Sequence, residues 1–326
     1  MTVGKISFLA LLALLAGCNS ATSTIPTTLD NAPAARFARA GVGPLPPNCC
    51  ARRKALFVTD AFGGSQSTGT VYAFDYDSGA LLGQLSPPPE GWSEVQGACV
   101  DKHGDVYFAN TAMSTVDEYS HGGTFIAAIA DSGQYPVGCA YDATTGNFAV
   151  DNIINVSGGP GSISIYQGTT LLHTYYPPNM FRVVGGGYRD DTGTLWLGGA
   201  NSSGAATFDT FANGTFTPFT VGGLRGGSIG SDFQWSAKTH TMNASGSDAS
   251  GNSVIWHVSS AKKVVGKTIL AYGAAAFFIK GPQVATIDAV NLVAYLFDYP
   301  AGGNPIRTYN ANFISPIGIV VSANEP

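Results

Sequence analysis

The sequence predicts an all-β fold: a closed ring of six blades, each a four-stranded antiparallel sheet. Three observations lead there. A unit of two short strands around a tight turn recurs through residues 96–322 at intervals of 41–48 residues, the span of one propeller blade. The last copy has a first strand with nothing after it, while the N-terminal part has later strands and no first. Glycine accounts for 42 of 326 residues, hydrophobic residues for 44% and charged residues for 11%. That composition suits short buried strands joined by tight turns, and it excludes wholesale disorder and charge-rich helical bundles.

In chain order, the first full copy pairs residues 96–101 with 105–110 across Lys102-His103-Gly104. It continues with strands 115–120 and 124–130 around His121-Gly122-Gly123, where glycine permits the positive φ of a tight hairpin. The unit returns as 137–142 with 147–152, and as 184–190 with 194–199. Weaker copies open at 227–232 and 276–280, and a half-copy closes the series at 317–322. Third strands fall at 162–166, 253–258 and 292–297, rich in β-branched and aromatic residues. Residues 54–60, 69–76 and 80–86 read as second, third and fourth strands. Joined to 317–322 they complete a sixth blade, so the C-terminal strand closes the ring beside N-terminal strands and leaves no open sheet edge.

These units resemble those of NHL-type six-bladed propellers over roughly residues 54–322. The resemblance implies the fold and no particular function, because propellers host enzymes, binders and scaffolds alike.

The N-terminus reads as an address. Lys5 precedes an apolar run over residues 6–16, broken only by Ser7. This is the make-up of a secretory signal and too short for a transmembrane helix. The tetrapeptide Leu15-Ala16-Gly17-Cys18 resembles the bacterial lipobox, which implies cleavage before Cys18 and its diacylation. The membrane is then a partner through the acyl chains. The expected location is the extracytoplasmic side of a bacterial cell envelope, and Asn19 favours the outer membrane of a Gram-negative cell. The expected organisation is a signal peptide at 1–17, a lipidated flexible tether at 18–53, the propeller at 54–322 and a tail at 323–326. A flexible tether of that length spans roughly 30 Å. The net charge is −5 and no basic stripe occurs, which argues against nucleic acid as a partner.

In such a blade the 1→2 and 3→4 turns share one face of the ring, and the 2→3 and 4→1 loops share the other. The first set reads as short, with Gly302-Gly303 among its turns. The second is longer, with 2→3 loops at 62–68, 153–161 and 245–252 and 4→1 loops at 87–95, 177–182 and 310–315. Long loops on a rigid scaffold are where binding concentrates. Trp92, Phe181, Arg182, Arg225 and Phe313 are the candidate ligand contacts, since aromatics and arginine dominate binding hot spots. Trp92 and Phe181 have a second reading as caps where blades meet.

The second strands end on the same face in Asp60, Asn110, Asp151 with Asn152, and Asp288. Gathered around the channel mouth, these oxygens would suit Ca²⁺. Regucalcin- and gluconolactonase-like propellers carry a metal in this region, although the inner-strand Glu of those enzymes is missing here. Asx residues also end strands by bonding nearby backbone. Catalytic signals are otherwise sparse. The five histidines are scattered, and there is no H-E-x-x-H or C-x-x-C. Export permits disulfides among Cys49, Cys50, Cys99 and Cys139. Cys99 and Cys139 lie two and three residues before Asp101 and Asp142. They therefore face opposite sides of their sheets, which argues against a bond between them, and Cys49 or Cys50 could staple the tether. The sequence favours a non-catalytic, cofactor-free module binding a ligand or an envelope protein, with a Ca²⁺-dependent lactonase- or lyase-like enzyme as the alternative.

Overall fold

The computed structural model describes residues 42–46, 50, 53–64 and 68–323. The segment expected to be a signal peptide, Cys18, most of the expected tether and Cys49 lie outside the described residues. From Val42 onward the chain forms one compact unit.

Six four-stranded antiparallel blades make the ring. Blade one runs Val95–Val100, Val106–Asn110, Thr115–Tyr119 and Phe125–Ala130. Blade two runs Gln134–Tyr141, Phe148–Asn155, Pro160–Gln167 and Thr170–Tyr175. Blade three has Arg182–Arg189, Thr194–Ala200, Ala206–Ala212 and Thr215–Phe219. Blade four's first strand is split into Ser228–Ile229 and Gln234–Ser236, followed by Thr241–Ser247, Ser253–Val258 and Val264–Leu270. Blade five has Ala276–Lys280, Gln283–Asp288, Val293–Asp298 and Arg307–Tyr309. Blade six joins the C-terminal Pro316–Ser322 to Ala55–Asp60, Thr70–Asp75 and Leu81–Gln84. The closing pair is antiparallel and in register from Ala55↔Ser322 to Thr59↔Gly318.

Each blade buries both faces against its neighbours, and the buried apolar side chains fall into six clusters, one at each seam. This explains why central strands such as Ala55–Asp60 are buried along their whole length instead of alternating. The chain just before blade six also packs on it. Pro44 bridges Gln84 in parallel, Leu45 N–H donates to Gln84 O at 2.6 Å, and Leu45 and Cys50 are buried in the seam between blades six and one.

The structure corrects the sequence reading in three places. Cys99 and Cys139 form a disulfide across the seam between blades one and two. Blades stand face to face, so side chains that meet across a seam come from opposite faces of equivalent sheets. The opposite parity of the two cysteines therefore brings them together. The second correction is in blade four, where the first strand does not end at Asp232. Ile229 pairs with Gly246 and Gln234 with Asn243, so residues 230–233 bulge between them. The third concerns loop lengths. Strands extend through Asn155, from Pro160 and through Ser247, which leaves shorter 2→3 loops than expected. The 3→4 connection of blade five, by contrast, occupies residues 299–306, and Gly303 bridges Leu270 of blade four.

Candidate functional site

The Asx residues expected at the channel mouth are not brought together. Most of them hold a loop of their own blade. The Asp60 carboxylate accepts from Ile314 N–H at 2.8 Å and Ser315 N–H at 2.7 Å. Asn110 accepts from Ser93 N–H and donates to Gly91 O and to Asp117. Asn152 donates to Asp131, Ser162 and Ser164. Asp288 accepts from Gly273 N–H, Val290 N–H, Asn291 N–H and the Asn291 amide. In each case the end of the second strand anchors the 4→1 loop that precedes it, and the oxygens of Asp60, Asn110 and Asp288 are already engaged with donors, while the buried Asn152 Oδ1 has no hydrogen-bond partner. Burial acts to raise the Asp288 pKa, but the four donors outweigh it and hold the carboxyl below its usual range. Among the described residues no group of three or more His, Cys, Asp or Glu gathers in a metal-binding arrangement.

Asp151 differs from the rest. It faces blade three against Gly138 and Gly186, is 1% exposed, and has no hydrogen-bond partner on either carboxylate oxygen. Burial, aided by the charge of Asp232, pushes its pKa up to about 7, and the nearby Gly186 N–H offsets only part of this. Asp232 sits on the blade-four bulge against Gly185, and burial raises its pKa to about 6. Another raised carboxyl lies under the loop at 87–95. Burial and a hydrogen bond with Glu90 push Asp117 up to about 7.

The five candidate ligand contacts belong to four separate loops, and only Phe181 and Arg182 are neighbours. Trp92 is buried, stacked on Tyr119 with ring centroids 5.7 Å apart. Phe313 is buried edge-on to Tyr72 at 5.3 Å. Phe181 and Arg182 are half-buried where the loop enters blade three. Arg225 is exposed, with a left-handed φ of 47°.

A groove of about 690 Å³ opens on the loop-rich face between blades four and five. None of those five residues lines it. Its walls come from the 2→3 turn of blade four (Asn252, Ser253), the 4→1 connection (Tyr272), the 2→3 turn of blade five (Asp288, Asn291) and the 299–306 connection (Asn304). A short turn at Gly302-Gly303, as the sequence suggests, gives no sign of this wall. Asp248-x-x-x-Asn252 and Asp288-x-x-Asn291, on adjacent blades, were the signal that could have marked it.

No family model matches the chain, and no curated protein does. Solved structures share its architecture. A chain from the crystal structure of a nidogen/laminin complex is 11% identical with a TM-score of 0.64, covering 84% of this chain and 100% of that one. A protein of unknown function from Bacteroides caccae is 15% identical with a TM-score of 0.55, covering 83% and 99%. At these identities the likeness concerns the fold alone.

Proposed function

We propose that the chain is a lipid-anchored, extracytoplasmic binding module that presents its loop-rich face to a ligand or envelope partner. The groove between blades four and five carries this reading, because it is a concave site of ligand size on the face where the longer connections gather. The Cys99–Cys139 disulfide supports an oxidising compartment, consistent with the signal and lipobox-like residues 1–18. The alternative, a metal-dependent enzyme at the channel mouth, draws less support, since Asp60, Asn110 and Asp288 are committed to their own loops.

Photo-crosslinking in intact cells tests the binding face. A benzophenone amino acid placed at position 272, on the loop-rich face, is expected to capture a partner. The same probe at position 103, on the opposite face, is expected to capture none. Capture only from position 103 would overturn the assignment. For the anchor, Cys18→Ser is expected to abolish metabolic labelling with an alkyne fatty acid and to release the protein from membranes. Retained labelling would place the lipid elsewhere.

A further inference from the structure

We infer that the groove between blades four and five binds a neutral saccharide, with the Tyr272 ring as its stacking platform. This rests on the loop-rich face being the binding face and names the ligand class for it. Tyr272 is 43% exposed and stacks on Tyr295, with centroids 4.6 Å apart and planes within 19°. Tyr295 is only 8% exposed and packs in the apolar seam beneath. The outer ring is thus fixed in orientation from below and open to the groove. An aromatic ring held this way offers apolar area at little entropic cost.

The polar groups around it are neutral and oriented. Asn252 donates its amide nitrogen to Asp248 at 3.1 Å, and Asn291 donates its own to Asp288 at 2.8 Å. A carboxylate accepts and cannot donate, so in both residues the nitrogen end is tied back and the amide oxygen is the end left to accept. Two adjacent blades therefore present the same device to one groove. The carboxylates behind them are compensated. Asp288 has its four donors, and Asp248 is bridged by Lys267 at 2.6 Å. No uncompensated charge is left among these groups to attract an ion. Ser253 and Asn304 add a hydroxyl and an amide. Sugar rings match this pattern: their C–H faces stack on an aromatic ring and their hydroxyls donate to amide oxygens. An anionic ligand would meet no cation here, and a purely apolar one would leave the amides without partners.

The test is calorimetric titration of the detergent-solubilised full-length protein with cellohexaose, mannohexaose, xylohexaose and chitohexaose, with polygalacturonate as the anionic comparison. At least one neutral hexasaccharide is expected to bind more tightly than the polyanion. Tyr272→Ala is expected to weaken that binding about tenfold, while Tyr272→Phe retains it. Asn304→Ala, a change at an exposed side chain, gives a second reading independent of folding and is expected to weaken binding several-fold. The inference is overturned if no neutral sugar binds at up to about 10 mM, if only polygalacturonate binds, or if Tyr272→Ala and Asn304→Ala both leave the affinity unchanged. Sugar failure with crosslinking intact at position 272 removes the saccharide and leaves the face; crosslinking only at position 103 removes both.

Discussion

In blades one, two, five and six, the position near the end of the second strand is Asn110, Asn152, Asp288 or Asp60, and its side chain holds the preceding 4→1 loop. In blades three and four the same position is Gly199 or Gly246, and the first strand itself comes down onto the glycine. A Cβ on Gly199 would lie 2.0 Å from Arg182 O, and one on Gly246 would lie 2.2 Å from Ser228 O. One structural need is thus met in two ways. A side chain can reach up to the incoming backbone, or the absence of a side chain lets that backbone descend. The second way extends along the blade-three strand, where Gly185 and Gly187 make room for the blade-four bulge. A Cβ on Gly187 would lie 1.8 Å from Phe233 O.

The largest effect is expected where glycine admits the backbone. Gly187→Ala is expected to cost about 3 kcal/mol or more, or to prevent folding, because the obstacle is backbone that cannot swing aside. Urea unfolding at fixed pH reads this directly, and a near-neutral result would mean the bulge packs elsewhere.

Next comes the Asp151 carboxyl, lodged against Gly138 and Gly186. The raised pKa of Asp151 means that the folded state favours the protonated acid. That stability is fully present below the ordinary carboxylate pKa and is lost as pH rises through about 7, while Asp232 contributes in the same sense through about 6. Asp151→Asn cannot ionise. Its stability relative to the parent is therefore expected to rise by about 2–4 kcal/mol between pH 4 and pH 8. Parallel stability profiles for the two proteins would show that Asp151 ionises freely in the fold.

On the anchored side, Asp60→Ala leaves the Ile314 and Ser315 N–H groups without their acceptor. The expected loss is about 2 kcal/mol. Hydrogen exchange is expected to accelerate at residues 314 and 315 and to stay unchanged at residues 180–182, where a glycine serves instead. Uniform acceleration would mean that Asp60 supports the ring globally.

Blade count, ring closure and the division into two faces were legible in the sequence because period and strand composition are local properties. The fourth copy was misplaced at Asp232 because a bulge changes residue count without changing composition. The disulfide was misjudged because parity within one sheet says nothing until the neighbouring sheet is set opposite it. Phe313 read as an exposed contact because loop position was visible and packing on Tyr72 was not, whereas the burial of Trp92 on Tyr119 agrees with its other reading as a cap where blades meet. The groove escaped notice because its walls come from two blades and from the connection at 299–306, which leaves its own blade to pair with Leu270.

Hydrogen–deuterium exchange of the full-length protein, with and without the tightest-binding neutral hexasaccharide, locates the binding face. Protection is expected at residues 251–253, 270–273, 290–291 and 302–304, with the turns at 102–104 and 191–193 unchanged. Protection confined to those opposite turns, or absent from both adjacent blades, would contradict the account.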